Sequence, residues 1–160
     1  MDKVVNIIEF LLKKLLISLC ALIVVAVTWQ VFSRYILQSP SSITEELARF
    51  TLIWISLFGA AYAYQTNAHL GLDVVTNKFT DSAKKGAEMF RHLVVFAFAV
   101  LVMVIGGVYL VDLTMVPAQT SAALQIEIGF IYSAVPVTGV IISVFSVNKI
   151  KQAFLLTERA

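Results

Sequence analysis

The stretch LLISLCALIVVAVTWQVFSRYIL, residues Leu15–Leu37, contains no charged side chain before Arg34. A helix needs about 20 predominantly apolar residues to cross the hydrocarbon core of a bilayer. Three similar stretches follow along the chain, at about Leu47–Tyr64, Leu93–Val111 and Ile128–Val147. The sequence therefore predicts an all-α integral membrane protein with four transmembrane helices.

The composition of the whole chain supports this prediction. Of the 160 residues, 59% are hydrophobic and 14% are charged, whereas soluble domains average about 45–50% and about 25%. A soluble domain of this size would leave too much apolar surface in water. The net charge of +2 is too small to indicate a nucleic-acid partner. We therefore expect residues 1–160 to form one membrane domain without a separate soluble domain.

Basic residues are distributed unevenly among the segments that flank the four apolar stretches. The segment between the first and second stretches carries Arg34 and Arg49, and the segment between the third and fourth carries none. The other ten of the twelve basic residues are Lys3, Lys13, Lys14, Lys78, Lys84, Lys85, Arg91, Lys149, Lys151 and Arg159. Because cytoplasmic flanks carry an excess of Lys and Arg, we expect both termini and the middle loop to be cytoplasmic.

Residues 2–14 precede the first apolar stretch and have a helical pattern of their own. Asp2, Asn6, Glu9 and Lys13 recur every three or four residues, with apolar residues between them. This spacing is typical of an amphipathic helix. We expect this amphipathic N-terminal segment to lie in the cytoplasmic interface before the first span.

The densest polar cluster opens the second apolar stretch. Ser42, with Glu45 three residues later, matches a capping box at the start of a helix. On that helix, Arg49 faces Glu45 at i,i+4 and Glu46 at i,i+3, and Arg34 lies near the same membrane face. The spacing favours a helix entrance neutralised by ion pairs. A docking surface for a partner, or a buried network between subunits, is the alternative.

Histidine and cysteine are too few and too scattered to predict a metal or haem centre. His69 and Asp73 are i,i+4 in the middle loop, and Cys20 is the single cysteine. A closed zinc site needs four ligands, and a haem in a bundle needs ligands that face its core. His69 and His92 flank one loop, which disfavours the alternative of a membrane anchor subunit for a redox enzyme.

No acidic residue lies at the middle of any predicted span. Secondary transporters normally keep ionisable residues or broken helices near the membrane midplane. The spans offer small residues instead, at Gly106, Gly107, Gly139 and Ser143, which predict close helix contacts. The sequence thus favours a membrane component without its own transport site. A self-assembling small transporter, which would need polar groups at mid-depth, is the other alternative.

An ordered series of short motifs runs through nearly the whole chain, from about residue 15 to 147. It comprises Phe32-Ser33-Arg34-Tyr35, Glu45-Glu46-Leu47-Ala48-Arg49-Phe50, Ile53-Trp54, Gly59-Ala60-Ala61, His69 with Asp73, Thr120-Ser121-x-Ala123-Leu124-x-Ile126 and Tyr132-x-Ala134-x-Pro136. In these motifs the sequence resembles the small membrane subunit (the Q or DctQ-type subunit) of tripartite ATP-independent periplasmic (TRAP) transporters. The part from Glu45 to Asp73 is the most specific.

The resemblance implies a non-enzymatic transporter subunit in the bacterial inner membrane, with two protein partners. A large (M-type) membrane subunit would carry the substrate and sodium sites and move by an elevator-type motion. A periplasmic (P-type) protein would capture an organic acid, either a C4-dicarboxylate or sialic acid. The small subunit would scaffold the large one, surrounded by membrane lipid. We expect no cofactor in this chain, and sodium ions in the large subunit.

The resemblance also implies structural or subunit-interface roles, rather than catalytic, substrate-binding or metal-binding ones, for the matching residues. These residues are Arg34, Glu45, Glu46, Arg49, Trp54, His69, Asp73, Thr120, Ser121, Tyr132 and Pro136. The charged residues from 34 to 49 would form a framework on the periplasmic face, which Thr120 and Ser121 would share. His69 and Asp73 would order the cytoplasmic turn.

Overall fold

The computed structural model describes residues 2–39, 41–67 and 81–157. The elements are α1 (Asp2–Tyr35), α2 (Ser42–Gln65), α3 (Asp81–Phe98), a π-helical segment (Ala99–Gly106), α4 (Gly107–Met115), α5 (Ile128–Tyr132) and α6 (Ala134–Thr157). They provide four helical units that are long and apolar enough to cross a membrane. The predicted all-α fold with four spans is confirmed.

Helix α1 is continuous from Asp2 to Tyr35, so the amphipathic segment and the first span are one helix. At 1.5 Å per residue, its 34 residues extend about 50 Å, whereas the bilayer core is about 30 Å thick. Val5 and Leu12 are 2% and 3% exposed and belong to the core of the bundle. The amphipathic segment is thus the first part of α1: Val5 and Leu12 pack inside the bundle, whereas Val4, Ile7, Phe10 and Leu11 remain 56–60% exposed.

The residue that caps helix α2 lies one position before the predicted one. Ser41 is the N-cap, with an extended backbone, and its Oγ accepts a hydrogen bond from the Thr44 N–H at 3.4 Å. The Thr44 hydroxyl donates in return to the Ser41 carbonyl at 3.0 Å. Ser42, predicted as the cap, is instead the first helical residue. The extended backbone of Ser41 brings its hydroxyl, and not that of Ser42, towards the free N–H groups of the first turn.

Helices α2 and α6 form the centre of the bundle. Helix α1 packs along α2, α2 packs against α6, and α3 with the π-helical segment packs on the α6 surface. The buried core residues are Val5, Leu12, Phe58, Ala61, Tyr64, Ala99, Ile142 and Phe145. Phe145 of α6 is 0% exposed. The core thus draws on every membrane-length unit and centres on α2 and α6.

Two glycines allow α6 to approach the third span closely. A Cβ atom added to Gly139 would lie 2.7 Å from the Met103 Cβ, and one added to Gly107 would lie 2.8 Å from the Pro136 Cδ. Small residues at such crossings let helix backbones come together in lipid. Beside Gly106, by contrast, the nearest atom to an added Cβ is 3.9 Å away. Of the predicted Gly106-Gly107 pair, the second glycine makes the close contact.

Much of the apolar surface faces outwards. Of the most apolar 18-residue window in α1, 11% is buried inside the protein, compared with 39% in the unit Ile128–Phe154. Val24 and Val25 of α1 are 64% and 67% exposed. Exposed apolar patches of this extent mark contact with a membrane or with another protein. The four spans therefore leave a large surface for lipid or for another subunit.

The adjacent glycines provide a matched pair of substitutions. We expect Gly107→Ala to destabilise the bundle by about 1–3 kcal/mol, because the new methyl group would collide with the Pro136 ring. Gly106→Ala should leave stability unchanged or raise it slightly, because the space beside this residue is open. Thermal unfolding of both variants in detergent checks this. A Gly107→Ala midpoint equal to that of Gly106→Ala would contradict the close contact.

Candidate functional site

Glu46, in the first turns of α2, links the second span to the loop between the third and fourth spans. Its Oε1 accepts a hydrogen bond from the backbone N–H of Ala123 at 3.1 Å, and its Oε2 accepts one from Leu124 at 3.0 Å. Hydrogen bonds to an ionised carboxylate are stronger than those between neutral groups. The two N–H groups belong to residues that follow Glu46 by 77 and 78 positions in the chain. This contact therefore fixes the loop onto the start of α2.

The loop of residues 116–127 is itself folded into a tight turn. Thr120 and Glu127 form an antiparallel bridge, and Ser121 is 7% exposed. Gln125 has a φ of 54°, in the left-handed region that lets a chain reverse within a few residues. The turn directs two successive N–H groups towards the carboxylate on α2. Thr120 and Ser121, which the sequence motifs single out, thus lie in the loop that this carboxylate holds.

Glu45 and Arg49 form an ion pair one helical turn apart, with 3.1 Å between Arg49 Nη2 and Glu45 Oε1. Their side chains are 48% and 67% exposed, and such exposed pairs contribute about 0–1 kcal/mol. The expectation that Arg49 neutralises both carboxylates is wrong for Glu46, because two backbone N–H groups bind that carboxylate instead. Arg34, in the last turn of α1, is exposed and lies outside this ion pair.

A second polar cluster lies at the opposite end of the bundle, where α1 begins, α2 ends, α3 begins and α6 ends. We call this the basic end, and the end that carries Glu46 and its loop the loop end. At the basic end, the Ser146 hydroxyl donates to the Tyr64 oxygen at 3.0 Å. The Tyr64 hydroxyl lies 2.8 Å from Nδ1 of His92. All three side chains are buried, so they join α2, α3 and α6 through hydrogen bonds inside the protein.

Two further contacts extend this cluster towards the surface. The Lys149 ammonium donates to Oδ1 of Asn67 and lies 5.1 Å from the centroid of the Tyr64 ring. The Gln65 amide nitrogen donates to Oε2 of Glu9 at 3.2 Å. The contact with Glu9 connects α1 to α2, and the contact with Lys149 connects the end of α2 to α6. The basic end thus contains a network of polar contacts that involves all four spans.

The remaining residues of the predicted set are dispersed. Trp54 packs edge-on against Phe58, with 5.1 Å between ring centroids. Tyr132 is the last residue of α5, and Pro136 lies in the first turn of α6, where a missing N–H is tolerated. His69 and Asp73 lie outside the described residues. The structure therefore brings Glu46 together with the Thr120-Ser121 loop, whereas Trp54 and Pro136 contribute to packing elsewhere.

Both clusters are suited to holding helices together. Among the described residues, no group of three or more His, Cys, Asp and Glu side chains is placed to hold a metal ion. His92, which a haem-binding anchor subunit would need as a ligand, is engaged with Tyr64. The Tyr64–His92–Ser146 cluster is not among the sites that the sequence predicts. A usable signal was present, because Tyr64 and His92 border apolar stretches on the same predicted membrane face.

Comparisons with known proteins match this chain to transporter subunits. Residues 23–156 match the family described as "Tripartite ATP-independent periplasmic transporters, DctQ component". The sialic acid TRAP transporter small permease protein SiaQ of Vibrio cholerae is 28% identical over 104 residues, or 65% of this chain and 58% of that protein. The C4-dicarboxylate TRAP transporter small permease protein DctQ of Rhodobacter capsulatus is 28% identical over 93 residues, which cover 58% of this chain and 40% of that protein.

A third relative is much longer. The sialic acid TRAP transporter permease protein SiaT of Haemophilus influenzae is 30% identical over 67 residues, which cover 42% of this chain and 11% of that protein. The chain thus spans less than two thirds of the length of each of these three relatives.

The family match extends from the middle of α1 to the last turn of α6 and includes Glu46 with its loop and the Tyr64–His92–Ser146 cluster, whereas Glu9 lies outside it. It agrees with the four membrane-length helical units, and its members are subunits of transporters rather than enzymes. Since it covers most of the chain, the protein belongs to the DctQ component family of the tripartite ATP-independent periplasmic transporters.

Proposed function

We propose that this chain is the scaffold subunit of a TRAP transporter and holds a large membrane subunit in the inner membrane. In this proposal, the large subunit contains the substrate and sodium sites and moves by an elevator-type motion. A periplasmic binding protein delivers an organic acid to it. The names of SiaQ and DctQ support sialic acid or a C4-dicarboxylate as the substrate. Residues 1–160 act in this assembly as one membrane domain.

The proposal depends mainly on the contrast between the apolar surface of the bundle and its lack of charge at mid-depth. The segments Leu15–Ser33, Phe50–Tyr64, Leu93–Val111 and Ile128–Asn148 contain no Asp, Glu, Lys, Arg or His. Coupled transport normally needs ionisable groups or broken helices there. The outward apolar surface of α1 is suited to contact with a larger apolar partner. Both features favour a scaffold over an autonomous transporter.

The relative SiaT supports a large partner. The segment that matches this chain makes up 11% of that permease protein. We infer that the rest of SiaT, outside this matching segment, contains most of the transport machinery. For the present chain, that machinery would be a separate large subunit.

The distribution of basic residues supports an orientation for the scaffold. Ten of the twelve Lys and Arg residues lie before the first apolar stretch, between the second and third, or after the fourth, and cytoplasmic flanks of membrane helices are enriched in these residues. We therefore propose that the basic end and both termini are cytoplasmic. The loop end, with Glu46 and residues 116–127, would face the periplasm and the binding protein.

Reconstitution tests the scaffold proposal directly. The chain alone in liposomes should show no uptake of sialic acid or C4-dicarboxylates. The chain together with its large subunit and binding protein should show uptake that requires an inward sodium gradient. Liposomes that contain the large subunit and binding protein, but lack this chain, serve as the control and should show strongly reduced uptake. Uptake by the chain alone would refute the proposal.

The Glu46 contact generates a second prediction. Glu46→Ala removes the acceptor of the Ala123 and Leu124 N–H groups, so it should loosen the loop and lower the yield of complex with the large subunit. Hydrogen exchange should become faster at the Ala123 and Leu124 amides, because these two donors lose their partner.

The neighbouring carboxylate provides the matched control. Glu45→Ala removes an equal charge from the same helical turn but breaks only an exposed ion pair. It should leave complex yield and loop exchange close to those of the wild type. Equal effects of the two substitutions would show that charge at the helix entrance, and not the loop contact, is what matters.

A further inference from the structure

A polar cleft opens between α2, α3 and α6 at the basic end. Its volume is about 330 Å³, which falls within the range of about 300–1,000 Å³ typical of ligand-binding clefts. The lining residues that matter here are Gln65, Asn67, Glu88, Arg91, His92 and Lys149. The lining is polar because the apolar stretches of the second, third and fourth spans end at this level.

The described lining residues favour an anion. Arg91 from α3 and Lys149 from α6 are positively charged, and Glu88 is the one carboxylate among them. A second carboxylate, Glu9, lies beside the cleft and accepts a hydrogen bond from Gln65, so the two cations attract an anion through their positions on two packed helices and not through a net charge. An ammonium group has three N–H donors, of which Lys149 uses one for Asn67. Arginine presents a planar fork of donors that matches the oxygens of a phosphate.

Two buried polar atoms of lining residues have no hydrogen-bond partner among the residues that the structure describes. They are Nε of Arg91, a donor, and Oε1 of Gln65, an acceptor. The amide nitrogen of Gln65 is directed to the Glu9 carboxylate, which as an ion can only accept. The oxygen of this amide is therefore left to face another donor. Both atoms are themselves buried away from the open space of the cleft, so they add to the polarity of its walls without contacting a ligand in it.

The depth of the cleft identifies a source for such a ligand. His92 directly precedes the apolar stretch that begins at Leu93, and Lys149 closely follows the one that ends at Val147. The cleft thus lies at the boundary between apolar and polar residues, which is the level of lipid headgroups. Basic pockets between membrane helices bind the phosphates of anionic lipids.

We propose that this cleft binds a phosphate-bearing anion between Arg91 and Lys149, and that the headgroup of an anionic phospholipid is its source. The site is separate from the proposed scaffold role, since it lies at the opposite end of the bundle from the Glu46 contact. A bound lipid would bridge α3 and α6 beside the Tyr64–His92–Ser146 cluster.

Native mass spectrometry of the purified chain in detergent, titrated with phosphatidylglycerol or phosphatidylcholine, tests the proposal. The wild type should bind phosphatidylglycerol at least about fivefold more tightly than phosphatidylcholine. Arg91→Gln and Lys149→Gln should each remove most of this preference. Lys151→Gln removes the same charge from an exposed position on α6. This variant should keep the preference for phosphatidylglycerol. Thermal unfolding without lipid shows whether each variant is folded.

A second arm separates the two sources of phosphate. If inorganic phosphate at millimolar concentration raises the unfolding temperature of the wild type and displaces phosphatidylglycerol, the anion site is supported with free phosphate as its ligand. If phosphate has no effect and phosphatidylglycerol still binds, the lipid is the ligand. The proposal is overturned if neither probe is preferred, or if Lys149→Gln behaves as Lys151→Gln does.

Discussion

Lipid hydrocarbon is as apolar as the leucine and valine side chains of this protein, so exclusion from water does not drive its spans together within the bilayer. Close packing and hydrogen bonds between helices must hold the bundle instead. Helix α6 supplies both, because Gly139 lies against the third span and Ser146 donates to Tyr64 of the second. Its central position in the bundle follows from these contacts.

The polar contacts between helices are concentrated at the two ends of the bundle. At the loop end, the Glu46 carboxylate holds a turn of the chain through two backbone N–H groups. At the basic end, the Tyr64–His92–Ser146 cluster and the Glu9–Gln65 contact join all four spans. Between the ends, the helices present apolar side chains outwards. A bundle built in this way is braced at its ends and offers its sides to lipid and to a large partner.

Features that depend on local periodicity are the ones that the sequence predicts correctly. The apolar stretches predict the four spans because a bilayer sets a minimum length for them. The i,i+4 pair of Glu45 and Arg49 follows from helix geometry. The same geometry was misleading for Glu46, whose partners lie 77 and 78 residues away. No local rule anticipates those partners, because they depend on how the third and fourth spans are connected in space.

The sequence by itself determined that this chain is a four-span membrane protein of the TRAP small-subunit type. The lengths of the apolar stretches, the distribution of charge and the motif series all follow from the order of residues in the chain. Only the tertiary structure decided which polar groups meet: Glu46 with the loop of residues 116–127, Tyr64 with His92 and Ser146, and Gly107 rather than Gly106 against Pro136. The physical reason is that such contacts depend on the rotation and depth of each helix, which packing between distant segments sets.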